Sequence, residues 1–136
     1  VADKLDVSRL TVLVRYHDGI PVIEAHGECD LITSRKLRET SESLINTGHN
    51  LLVFDMRDMG YIDSSGFRVL LEAKNKVSER GGDIILVSLT VPVERVFRLL
   101  HLDELVKRTD TVEEAVHLLE SKQMDCLRDA KPETQN

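Results

Sequence analysis

At 136 residues, with 41% hydrophobic and 31% charged content, the chain suits one globular domain and is too short for two ordinary ones. A net charge of -6 argues against nucleic-acid binding, which needs clustered Lys and Arg facing phosphates. No apolar run approaches the roughly 20 residues of a membrane span and no signal-peptide core opens the chain, so a cytoplasmic protein without membrane contact is expected.

Aromatics make up 4% and Trp is absent, so the core must be aliphatic. Cys29 and Cys126 stand far apart without a CxxC pair or regular His spacing. They are expected to be reduced, incidental thiols, with no metal site and no cofactor.

In chain order, "LTVLVRYH" (10–17) sets Leu10, Val12, Val14 and Tyr16 on one face, the period of a half-buried strand. Asp18-Gly19 is a tight-turn pair, and "IPVIEAHGE" resumes the extended pattern, giving an antiparallel hairpin over 10–27. Pro21 belongs at the strand's start or on an unpaired side. Thr33 or Ser34 is expected to cap a helix running to about Asn46, with Leu37, Ser41, Leu44 and Ile45 as its inward stripe and Gly48 at its exit.

"LLVFD" (51–55) reads as a strand covered on both faces, and a loop is expected to lead from it to "DSSG". A second helix is expected from Ser65 or Gly66 to Arg80, buried through Phe67, Leu70, Leu71 and Val77, with Gly81-Gly82 ending it. "DIILVSL" is another buried strand. Pro92 suits the first turn of a third helix carrying Val93, Val96, Phe97 and Leu100. A short extended piece at 105–107 precedes a fourth helix, opened by the capping-box pair Thr111 and Glu114 and buried through Val112, Ala115, Val116 and Leu119. Residues 122–136 lose the apolar period and are expected to form a mobile tail, leaving 8–121 as the domain.

The expected order is therefore β-β-α-β-α-β-α-β-α: an α/β fold with a mixed sheet of about five strands and about four helices packed on it. Right-handed crossovers make the strands at 51–55 and 84–88 parallel. The serines of "YIDSSGF" (61–67) then stand where a helix opens beyond a strand's carboxyl end, the edge at which α/β sheets gather their sites.

Three readings compete for that pair. A catalytic serine needs an adjacent base and an oxyanion hole. The G-x-S-x-G elbow is absent, and no spacing ties His26, His49 or His101 to the serines. Neither nucleotide-binding glycine motif occurs, so no enzymatic activity is expected. A helix cap is the simplest reading, since Ser accepts a first-turn N–H. One cap uses one hydroxyl, however, and the second is left over beside a glycine that clears space for another molecule.

The stretches "GECDLITS" (27–34) and "YIDSSGFRVLLEA" (61–73), supported by "GGDIILVSLTVPVERVFRLLHLDEL", resemble the anti-sigma factor antagonists, built on the STAS domain. The likeness spans roughly residues 8 to 120 in the same element order. It implies that Ser64 accepts a phosphate from a partner anti-sigma factor that is itself a serine kinase. It also implies that Asp30 lies near the phosphosite and the partner surface. On this basis the partner-binding set is Asp30, Thr33, Ser34, Asp63, Ser65, Gly66, Phe67 and Arg68. Two positions depart from the pattern: Phe67-Arg68 replaces Leu-Gly of the sporulation member, and Cys29 replaces an aliphatic residue.

The resemblance implies a non-catalytic, partner-switching regulator of transcription. Unphosphorylated, it binds the anti-sigma factor and frees a sigma factor; phosphorylated on Ser64, it lets go, and a phosphoserine phosphatase resets it. Any nucleotide contact is expected to be weak and to come through the partner complex. First-turn amides are expected to hold the phosphate. The alternative is a STAS scaffold in a signalling or transport complex, with Ser64 a mere cap and no phospho-switch.

Overall fold

A computed structural model describes the backbone of residues 9–134 and the side chains of residues 9–124. The expected domain start at residue 8 and the side chain of Cys126 lie outside the described residues. Along the chain run β1 (Leu10–His17), β2 (Ile20–Cys29), α1 (Ser34–Asn46), β3 (Leu51–Asp55), β4 (Met59–Ile62) and α2 (Ser64–Ser78). Then follow β5 (Asp83–Val87), α3 (Val91–Leu99), a 3₁₀ turn (Leu102–Glu104), β6 (Lys107–Thr109) and α4 (Val112–Thr134).

The hairpin forms as expected, in register from Leu10↔Gly27 to His17↔Ile20. Both turn residues have positive φ, 53° at Asp18 and 82° at Gly19, the twist that suits two closely joined strands. The sheet order is β1-β2-β3-β5-β6, with β1 antiparallel to β2 and the remaining pairs parallel.

The two apolar runs fill both faces of this sheet. Leu52, Phe54, Ile84 and Leu86 pack with Leu37, Leu70, Val77 and Phe97 of α1, α2 and α3. Their neighbours Val53, Ile85 and Val87 point the other way, onto Val112, Ala115, Val116 and Leu119 of α4. This alternation is why a two-sided strand reads as continuously hydrophobic. Each such side chain contributes about 1.5–3 kcal/mol on burial.

Among the described residues the sheet has six strands, in keeping with the expected mixed sheet of about five. The segment expected as a loop contains β4, which pairs parallel with the far half of β2 through Glu28↔Tyr61 and Cys29↔Ile62. Its sequence, MGYI, escaped the periodicity because only Met59 and Ile62 are buried and Gly60 interrupts the middle. In β1, Leu10 is buried, but Val14 and Tyr16 are 38% and 56% exposed. That strand is the sheet's edge, and the helix layer covers only its beginning. The last strand falls at Lys107–Thr109, slightly beyond the expected 105–107, and Leu100 at the end of α3 is exposed rather than inward. Helix α4 continues to Thr134, well past Lys122, where a tail was expected.

One ion cluster ties the far end of the sheet together. Asp83, 1% exposed, opens β5 and is met by Lys74 of α2, Lys107 of β6 and Lys122 of α4, with Nζ–O distances of 2.5, 3.5 and 3.9 Å. The backbone N–H of Ile84 adds a bond at 2.8 Å. Burial works to raise the Asp83 carboxyl, but Lys74, this amide and Lys107 outweigh it and hold the group below its ordinary value. Its folded pKa is thus below its unfolded one, so its stabilisation is present above about pH 4 and fades as pH falls through the folded value. Asp83→Asn should cost about 1.5–3 kcal/mol at pH 7, the range for hydrogen bonds to charged groups, and markedly less near pH 3. Denaturant titration at the two pH values checks this; an equal loss at both would contradict it.

Candidate functional site

The GECD stretch shapes one wall of the site. Gly27 has φ +120°, and a Cβ there would lie 2.1 Å from the Arg9 carbonyl oxygen, so only glycine fits. The β2–β4 register shifts between Gly27 and Glu28. Beyond this irregularity β2 runs beside β4, and the Asp63 N–H donates to the Cys29 carbonyl at 3.1 Å. The loop after β2 is thereby held next to the start of α2.

Asp30 organises that loop. Its Oδ1 accepts from the N–H groups of Ile32 and Thr33 at 3.0 and 2.9 Å, and its Oδ2 meets Arg9 Nη1 at 2.7 Å. The Thr33 amide, against some opposition from burial, is the main reason its carboxyl sits below the usual range. Thr33, one of the two expected caps, holds the N-cap position of α1 without a capping side-chain bond, and both Thr33 and Ser34, expected as partner contacts, are buried. Thr33 Oγ1 accepts from the Asp30 N–H and donates to the Glu28 carbonyl, while Ser34 Oγ donates to the Leu31 carbonyl. Their hydroxyls are spent on folding the loop.

The cap of α2 is Asp63, not a serine. Its backbone is extended and its carboxylate accepts from the N–H groups of Ser65 and Gly66 at 2.9 and 3.3 Å. The helix accordingly begins at Ser64, one residue ahead of the expected start. Ser64 is exposed and Ser65 half-buried, and neither hydroxyl is bonded to another described residue. Two hydroxyls are left over instead of one.

Gly66 and Phe67, expected on the partner surface, face inward. A Cβ on Gly66 would lie 2.5 Å from Ile62 Cγ1 and 2.8 Å from Cys29 Sγ, so the glycine allows α2 to pack on the strand ends rather than clearing room for a visitor. Phe67 packs near Phe97 of α3, ring centroids 6.4 Å apart. Cys29 is buried beneath the site. Desolvation, with the Asp63 and Asp30 carboxylates adding to it, pushes its thiol up to about 12, which leaves it inert as a nucleophile.

Exposed apolar side chains missed by the sequence expectation surround this end of the sheet. Leu31 and Ile32 in the β2–α1 loop are 76% and 67% exposed, and Tyr61 of β4 and Val91 at the start of α3 are 50% and 71% exposed. Thr90 Oγ1 donates to the Met59 carbonyl, which holds the start of α3 against β4. A signal was present in "DLITS": two large apolar residues that fit neither the strand period nor the helix period. Beside Ser64 a groove of about 410 Å³ has Phe67, Leu71, Leu100 and Leu102 along it, with Arg68, Glu72 and Asn75 as polar members. Asp63, Ser64, Ser65 and Arg68 are thus gathered at one helix start, with Asp30 across Cys29 from them.

The family model described as STAS domain matches residues 11–115. The chain belongs to the STAS domain family. Among its relatives, a Thermotoga maritima protein bearing the provisional name anti-sigma factor antagonist is 35% identical over 100 residues, covering 73% of this chain and 88% of that one. The anti-sigma-F factor antagonist RsfB of Mycobacterium tuberculosis is 28% identical over 109 residues, covering 79% and 87%. In fold, the STAS domain resembles the crystal structure of an anti-sigma factor antagonist from Mycobacterium paratuberculosis, with a TM-score of 0.74 at 24% identity over 82% of this chain and 94% of that one.

The cap assignment separates two neighbouring substitutions. Asp63→Ala should cost about 0.5–2 kcal/mol, the value of an N-cap, whereas Ser64→Ala should change unfolding free energy by only a few tenths. Equal losses in urea titration would return the cap to the serine. Gly66→Ala should destabilise by about 1–3 kcal/mol despite alanine's better helix propensity, since the added methyl overpacks against Ile62 and Cys29. Combined with Cys29→Ala, part of that loss should be recovered; simple additivity in the thermal midpoints would contradict the contact.

Proposed function

We propose that this STAS domain is an anti-sigma factor antagonist, non-catalytic itself, switched by phosphorylation of Ser64. The single observation that carries the reading is the exposed, unbonded hydroxyl of Ser64, released from capping by Asp63 and set beside solvent-facing apolar side chains. The names of the Thermotoga and Mycobacterium relatives support the choice of partner.

In the unphosphorylated state the anti-sigma factor covers Ser64, Arg68 and the exposed Leu31, Ile32 and Tyr61, and a sigma factor is set free in the cytoplasm. Docking hides apolar surface at about 25 cal/mol per Å² and sets a neutral hydroxyl in the interface. The partner, a serine kinase, then transfers the γ-phosphoryl group of its ATP to Ser64 Oγ; a P–O bond forms, and ADP and the hydroxyl proton leave. A phosphoserine phosphatase later hydrolyses the ester. Nucleotide contact comes through the kinase.

Phosphate adds about -1.5 to -2 charges beside Asp63. A hundredfold loss of affinity needs only about 2.8 kcal/mol, well within the cost of stranding a misplaced dianion at an apolar interface. His26 Nδ1 is 3.1 Å from Asp58 Oδ2, His49 Nδ1 is 3.2 Å from the Leu44 carbonyl and His101 Nδ1 is 3.6 Å from Glu104 Oε2, and none of the three is bonded to Ser64 or Ser65. That favours an acceptor over a nucleophile with its own base.

The ordering of partner affinity tests the switch. Ser64→Ala should bind the anti-sigma factor at or near wild type, Ser64→Asp more weakly, and phosphoserine protein most weakly, at least a hundredfold below wild type, by calorimetric titration. Kinase and ATP should add one phosphate, mapped by mass spectrometry to Ser64. Transfer to Ser65, or equal affinity of the phosphorylated and unmodified forms, would sink the proposal.

A further inference from the structure

We propose that Arg68 is the internal anchor of a phosphate on Ser64, holding it through an ion pair one helical turn along α2; this rests on Ser64 being the phosphoacceptor. The need for such an anchor comes from the cap. Helix starts hold phosphates with free first-turn N–H groups, but here the Asp63 carboxylate already takes those of Ser65 and Gly66. The Phe67 N–H is likewise spent, on the Asp63 carbonyl. A phosphate on Ser64 therefore meets a carboxylate in the position where it would otherwise find amides. The Ser64 N–H is the one amide of this turn left to it, so a cationic side chain within reach is the protein's main means of balancing its charge.

Arg68 is placed to do so. It follows Ser64 by four residues, and helical side chains lean toward the N-terminus, so its guanidinium covers the turn on which Ser64 stands. Both residues line the same groove, and both are exposed. An anion N-terminal to a cation at this spacing is the favourable order.

The nearby charged groups leave Arg68 uncommitted. Glu72, its other neighbour at four residues, is taken by Arg38 at 3.4 Å, and Asp30 by Arg9 at 2.7 Å. No ion pair joins Arg68 to another described residue. Asp63, bonded to amides, is the remaining acid on this turn. Phosphorylation then does two things at once. It adds negative charge to the docking surface, and it withdraws the cation that the unphosphorylated protein offers to its partner.

Phosphoserine placed at position 64 by codon reassignment, in the full chain, allows the pair to be tested without the kinase. A phosphorus NMR titration reads the second ionisation of the phosphate, ordinarily near about 6. The midpoint should rise by about 0.15–0.4 pH unit in Arg68→Gln relative to the otherwise unchanged phosphoprotein, since loss of the cation disfavours the dianion. Arg68→Lys should restore most of the difference, and 1 M salt should shrink it, as for any exposed pair. Arg95→Gln, which removes an exposed arginine of α3, should leave the midpoint in place. Equal midpoints for wild type and Arg68→Gln, or an equal displacement in Arg95→Gln, would overturn the anchor. Failure of the anti-sigma factor kinase to label Ser64 would count instead against the switch, so the two ideas fall separately.

Discussion

The site depends on how completely Asp63 is used. Its N–H donates to the end of β2, its carbonyl accepts from Phe67, and its carboxylate accepts from Ser65 and Gly66. One residue therefore joins the strand pair β2–β4 to the first turn of α2. Because an acid performs the capping, both serines are relieved of it. Had Ser64 been the cap, its oxygen would be committed to the backbone, and esterifying it would loosen the helix that presents it. The acid separates structural duty from chemical availability.

The same arrangement sets the electrostatics of the surface. Two carboxylates, Asp30 and Asp63, flank a buried thiol, and each is held mainly by backbone amides. Arg9 balances the first. Around them the exposed apolar side chains Leu31, Ile32 and Tyr61 have no reason in the fold's own packing to point outward. A small hydroxyl set at such a rim is a sensitive place to add charge, because covering it removes water from whatever it carries. Helix α2 is packed along its length against β5 and the neighbouring helices, so a charge change at its tip need not disturb the core.

The anchoring of the fold lies elsewhere. Asp83 and its three lysines draw α2, β6 and α4 together at the opposite end of β5 from the loop that leads to α3. The Ser64 end of α2 and the ionic staple thus occupy different ends of the sheet. Edge strand β1 belongs to neither, with its middle and later apolar residues only partly covered.

Much of this was legible in the residues alone. Continuous apolar runs at 51–54 and 84–87 determine strands buried on both faces, and the stripes at 37–45 and 112–119 determine which helix faces turn inward, because side-chain direction follows the local backbone period. The place of Ser64 at a helix start beyond a strand end followed from the same patterns. What the periods could not carry was anything decided by contacts distant in sequence. Strand β4 exists because β2 overruns β3 and needs a neighbour, a fact invisible in MGYI. Gly66 looked like open space and is a packing contact, since Cys29 approaches it from another strand. Phe67 sits in the core because α3 lies against its ring. Asp63 rather than Ser64 became the cap because β2 fixes its backbone through the Cys29 carbonyl, and a hydrogen bond across strands leaves no mark in the local sequence.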